Sequence, residues 1–241
     1  MSQTFLGLVN TLAREAGVSG NASAVSATAG QSGEANRLVN WIIQSHNEIQ
    51  NRHDGHWKWL RSTWTVNTTA NDDTYAPTDC TDTRLNAALT RFKEWIPFDD
   101  QGAANMKKYL TSGGVGGEVW LVNIPWSYFM SIYRRGTQNA GQPMHITIDP
   151  QNNLVLGPKP DGIYTLNGEY RMSAKVFAAD SDTPEMPLDF QDVIWMWAMK
   201  KYGLFHAAQE VLERGKTEGG RLMRQLEANQ LEDVTMGSPL A

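Results

Sequence analysis

The chain has 241 residues, 41% of them apolar, with a formal net charge of −5 and a pI near 5.5. That length can bury about 70% of the unfolded surface, so a self-sufficient core is expected. The acidic balance without any run of Lys or Arg lacks the electrostatic footprint of a nucleic-acid binder; the single Cys80 rules out an internal disulfide and a cysteine-only metal site; and no run approaches about 18 apolar residues, so no membrane-spanning helix is expected.

In chain order, Phe5, Leu8, Val9, Leu12 and Ala16 recur at helical spacing, and Gly17 supplies the stop. Met1 to Leu12 shows no basic start followed by an apolar stretch, so no signal peptide is expected, and the single Cys80 fits a reducing compartment. Residues 19–33 are small and polar and read as a loop. Ser32 is placed to cap a second helix whose inner face is Leu38, Trp41, Ile42, Ser45 and Ile49, ending near Asp54-Gly55. Trp57, Trp59, Trp64 and Val66 then sit in a Thr-rich stretch with the partial alternation of strands. Arg91 to Phe98 reads as a strand that Pro97 ends or confines to an edge. Ala103 to Leu110 reads as one or two helical turns, and Gly113 to Gly117 as a turn before the apolar stretch Val119 to Ile124. Trp126, Phe129, Met130 and Tyr133 return to helical spacing.

The clearest β signal follows. Met144 to Ile148, Leu154 to Leu156 and Tyr164 to Met172 are separated by the turn sequences Asp149 to Asn153 and Pro158 to Gly162, which predicts an antiparallel meander. Pro184 and Pro187 introduce one long helix from Leu188 to about Leu231. Its start, Val193 to Trp197, is apolar all round, so more than one face must be covered. Gly215, Gly219 and Gly220 are expected to weaken or kink it. Residues 232–241 have no period and read as a flexible tail. No repeat is present. The expected class is α+β: an N-terminal helical hairpin (1–56), a central antiparallel meander or sandwich-like region (57–183), a long C-terminal helix (184–231) bundling with the first helices, and the tail (232–241).

Motifs that could carry chemistry are sparse. Gly215-Lys216-Thr217 resembles the end of a phosphate loop, but that loop needs a glycine at position 210, where Glu210 stands, and a preceding strand. His53 and His56 flank Asp54 without a third ligand, and His46 is seven residues away across a helix end, so a solvated His-rich terminus is the better reading. Asp72, Asp73, Asp79 and Asp82 lack calcium-loop spacing and read as solvated loop acids. Cys80 stands among Asp and Thr, not beside a base. Trp57, Trp59 and Trp64 have only Arg52, Lys58 and Arg61 near them, which favours core packing over base stacking.

Four stretches carry a family resemblance. They are Gly30 to Glu34 with Arg37 to Trp41, closing on Ile49 to Arg52 and Trp57 to Leu60; Ile124-Pro125-Trp126 with Phe129; Gly141-Gln142-Pro143 with Leu154 to Leu156, Pro158, Pro160-Asp161 and Tyr164; and Asp182-Thr183-Pro184 with Pro187 and Val193-Ile194. In these the chain resembles the head-to-tail adaptor (head-completion or connector) proteins of tailed bacteriophages. The resemblance implies a homo-oligomeric ring beneath the dodecameric portal, extending the DNA channel and offering a platform to tail or nozzle proteins. It implies a protein of the virion, made in the bacterial host cytoplasm, with no cofactor, no catalysis and no membrane partner, and with DNA passing through the lumen without specific binding. The expected subunit interface includes Trp195 and Trp197, and the expected portal contact is Leu231, Val234, Met236, Pro239 and Leu240. The other readings are a different virion subunit, such as a tail-completion or tail-tube protein, and an enzyme with an unrecognised site, for example one acting on the cell wall.

Overall fold

A computed structural model describes residues 3–18 and 25–231. The class is α+β, and the chain forms two compact units: one from residues up to Leu60 together with those from Ala174 onward, the other from Arg61–Ser173.

The first unit is helical. α1 (Phe5–Glu15) starts at Thr4, whose hydroxyl accepts from the Gly7 N–H, and buries Phe5, Leu8, Val9, Leu12 and Ala13. α2 (Gly33–Asn51) has Ser32 at its cap position, without a side-chain capping bond, and ends where His53 and Asp54 adopt left-handed backbone angles. The expected single helix from Leu188 to Leu231 is two: after a short turn at Leu188–Phe190 come α4 (Asp192–Phe205) and α5 (Gln209–Gln230). Ala207 takes a φ of 52° at the break, and α5 folds back on α4.

The glycines explain the hairpin. A Cβ at Gly203 would stand 2.7 Å from the Leu212 backbone nitrogen, and one at Gly215 would stand 3.1 Å from the Met196 carbonyl oxygen. They therefore let two helices approach at backbone distance rather than kink one. Gly220 faces open space, with the Arg224 side chain 3.9 Å from a built Cβ. α4 is wrapped by α1, α2 and α5, which accounts for its all-round apolar start: Val193, Ile194, Trp195, Met196, Ala198 and Met199 are all buried.

The second unit is a two-layer β structure with a helix on its outside. Its strands are β1 (Arg61–Asn67), β2 (Thr74–Tyr75), β3 (Thr81–Asp82), β4 (Ala87–Ala88), β5 (Phe92–Ile96), β6 (Lys107–Leu110), β7 (Val119–Trp120), β8 (Val122–Asn123), β9 (His145–Ile148), β10 (Leu154–Gly157) and β11 (Tyr164–Met172), with α3 (Trp126–Tyr133) between β8 and β9. The larger sheet runs β4-β3-β1-β11-β6-β7, and β5 pairs with the end of β11 that β6 leaves free. The smaller runs β2-β10-β9-β8.

β9 and β10 form the expected hairpin, but β11 does not continue it. Pro158 and Pro160 lack N–H donors, the segment crosses over, and β11 becomes the centre of the larger sheet, paired with β1 from Arg61↔Arg171 to Asn67↔Thr165. Ala103 to Leu110 is not helical either: Lys107–Leu110 is a strand on β11, and the ladder overrides the helical spacing of Met106 and Leu110.

Trp64, Leu166 and Tyr170 of the larger sheet meet Ile146, Leu154 and Leu156 of the smaller in one core. Val155, pointing the other way, packs under Phe129 of α3. A Cβ at Gly157 would overlap the Tyr133 ring, so α3 lies directly on β10. The Tyr133 hydroxyl is 2.6 Å from His145 Nδ1, and Arg134 donates to both carboxylate oxygens of Asp73. Leu121, buried between β7 and β8, marks the place where one extended segment passes from the larger sheet to the smaller.

Candidate interaction surfaces

Most residues that could have signalled chemistry are held in packing or in local hydrogen bonds. Asp82 is almost fully buried, not solvated: Tyr170 OH donates to it at 2.5 Å, Ser62 Oγ at 3.1 Å, and the Arg84 and Leu85 N–H groups at 2.7 and 3.0 Å. Burial pushes its carboxyl up, but those four donors outweigh it and hold the group below its ordinary value. Asp73 is held by Arg134, and Asp79 accepts from the Ala76 N–H. His46 is buried and stacks on Phe177 at 4.0 Å; His53 pairs with Glu227 of α5 at 2.8 Å, as Arg52 does at 2.7 Å; His56 is exposed. No group of three potential metal ligands occurs among the described residues.

Gly215-Lys216-Thr217 lies inside α5, where its N–H groups belong to the helix rather than to a phosphate cradle. Trp57 and Trp64 are fully buried, and their indole N–H groups donate to the Ile49 and Glu169 carbonyls. The Cys80 thiol is buried, and burial pushes its pKa up to about 12, with Asp79 adding to the shift. It is therefore expected to resist a thiol reagent in the native protein at neutral pH and to react once urea unfolds the chain, read by absorbance of the released thiolate. Prompt stoichiometric labelling of the folded protein would contradict this burial.

The expected contact residues separate. Trp195 is 6% exposed, with its indole N–H donating to Asp192 Oδ1 at 2.9 Å, so it supports the surface from within. Trp197 is half-buried and reaches that surface. It lines a cleft of about 370 Å³ with Glu48, Ile49, Asn51, Arg52 and Met223. Lys200 Nζ sits 3.1 Å from the Trp197 ring centroid, and the Trp197 indole N–H donates to Glu48 Oε2 at 3.2 Å. Burial pulls the Lys200 ammonium below its ordinary pKa, with Glu48 pulling the other way. The cleft thus has an apolar floor, Ile49 and Met223, under a charged rim. Leu231 is half-buried at the end of α5 against the helical core, and Val234, Met236, Pro239 and Leu240 lie outside the described residues.

One feature escaped the sequence reading. Of sixteen large apolar side chains exposed among the described residues, seven lie between Val119 and Met144. The available signal was charge: no Asp or Glu occurs between Glu118 and Asp149.

A family model described as SU10 adaptor protein matches residues 3–239, and the chain belongs to that family. The family is one of phage head–tail adaptors, so this is a structural adaptor protein of a bacteriophage, with its place in the virion. No curated protein matches the chain. No helix of the described residues is long and apolar enough to cross a membrane.

Proposed function

We propose that the chain forms a closed ring between the portal and the tail, that the ring matches the twelvefold portal and extends the DNA channel, and that its role is structural, without catalysis. The observation that carries this reading is the adaptor-family match over nearly the whole chain. Three properties support it: the exposed apolar surfaces, the lack of convergent chemistry among the described residues, and a net charge of −5 that favours passage of DNA over its retention. Trp197 is proposed to meet the neighbouring subunit directly, with Trp195 shaping the surface beneath it.

Electron microscopy of the purified chain mixed with portal tests the reading. A ring of copies seated on the portal is expected. A two-fold dimer, or binding only to tail components, would favour a tail-completion or tail-tube role instead.

Residues 232–241, following Leu231, are proposed to grip the portal through Val234, Met236, Pro239 and Leu240. Deleting them is expected to leave the melting temperature unchanged while portal co-sedimentation weakens by ~10²-fold, because every copy in a ring loses one contact at once. Unaltered portal binding by the truncated chain would exclude the tail as the grip.

A further inference from the structure

The exposed apolar side chains of the β unit cluster on one acid-free segment. Val122 and Ile124 alternate onto the outer face of the smaller sheet, the face that carries α3, and Ile124 packs there with Phe129 and Val155. Val122 itself is 55% exposed. α3 buries Phe129 and packs Trp126 and Tyr133 inward. That leaves Tyr128, Met130 and Ile132 exposed, at 57%, 39% and 37%. His145, paired with Val122 across the β8–β9 ladder, lies on this same face, 2.6 Å from the Tyr133 hydroxyl. Scattered apolar residues on a surface need no explanation; a concentration of this kind marks an interaction site.

Charge indicates what covers it. Residues 119–148 carry Arg134 and Arg135 and no carboxylate, a local charge of +2 in a chain of −5, so the rest of the chain carries −7. Two copies of the segment laid face to face would oppose their arginines with no acid between them. The rest of a second copy is net acidic, so the segment is better matched by an unlike patch than by itself.

We infer that the outer face formed by Val122 and the exposed side of α3 (Tyr128, Met130, Ile132) seats a second copy of this chain in a heterologous, head-to-tail contact. A contact of unlike patches propagates from copy to copy and closes into a ring when the rotation allows. The inference rests on the ring reading and adds to it the surface through which each subunit holds the next.

The test places the photocrosslinking residue p-benzoylphenylalanine at Tyr128 in adaptor assembled into phage particles, with the same residue at exposed Leu85 as a control. Ultraviolet light is expected to give species at multiples of the 26.9 kDa chain from position 128 and not from position 85. Ile132→Asp, on an exposed position, is expected to leave the melting temperature unchanged and to lower the crosslinked yield by ~10-fold, since it sets a carboxylate against an acidic neighbour. Crosslinking at Tyr128 only to a chain of different mass, or to none, overturns the inference. Electron microscopy of the same particles separates the two failures: a ring without self-crosslinking at Tyr128 removes this surface alone, whereas particles without a ring remove the ring reading as well.

Discussion

Gly203→Val is expected to destabilise the helical unit by ~3 kcal/mol, at the upper end of overpacking costs. The added Cβ would meet the Leu212 nitrogen, Cα and Cβ at 2.7–2.8 Å, and these are backbone and near-backbone atoms that cannot swing aside. Relief requires α4 and α5 to separate. That would open the core around Met196, Met199 and Met223. Gly220→Ala, on the same hairpin but facing open space, is expected to gain ~0.5–1 kcal/mol from helix propensity alone. Urea titrations followed by far-UV circular dichroism read both. Equal midpoints for Gly203→Val and the parent protein would mean that the helices do not pack as described.

Asp82→Ala is expected to destabilise the β unit by ~3 kcal/mol, because it orphans Tyr170 OH, Ser62 Oγ and two backbone N–H groups in a buried site. Tyr170→Phe, which removes only one of the four donors, should cost ~1.5 kcal/mol. The carboxyl also ties stability to pH. Its folded pKa is depressed, so its contribution is complete above the unfolded value near ~4 and is lost as pH falls through the lower folded value. The parent β unit should therefore weaken on acidification below ~4 more steeply than Asp82→Ala does, since the variant has already lost that term. Parallel acid titrations of the two proteins would contradict the assignment.

Local patterns were legible where one element determined them. The spacing of Phe5, Leu8, Val9 and Leu12 defines α1, the turn residues Asp149 to Asn153 define the β9–β10 hairpin, and the apolar start of α4 announced burial on several sides. What failed depended on partners distant in sequence. Nothing near Tyr164 shows that β11 will pair with β1 instead of β10. Gly215 and Gly219 read as weak points because their use, contact with Met196 and Lys200 on another helix, is a tertiary fact. The helix break fell at Ala207, a residue with no turn signal. For the surfaces, a Trp-rich helix start drew attention to Trp195, which is interior. The acid-free stretch from Val119 to Ile148 was visible but became a surface only once α3 was seen to expose its second face.

The placement of β11 and α5 also governs when the chain can fold during synthesis. The larger sheet is organised on a strand roughly a hundred residues after β1, and the helical unit draws its core from both ends of the chain. A nascent chain holding only α1, α2 and β1 to β10 thus has neither a central strand for its sheet nor the α4–α5 hairpin for its helices. Trp57 and Trp64, fully enclosed at the end, stay unshielded until the last third of the polypeptide has been made. Non-local closure of this kind slows folding and lengthens the interval in which sticky surfaces are open to one another. A subunit able to assemble therefore exists only once the whole chain has been made.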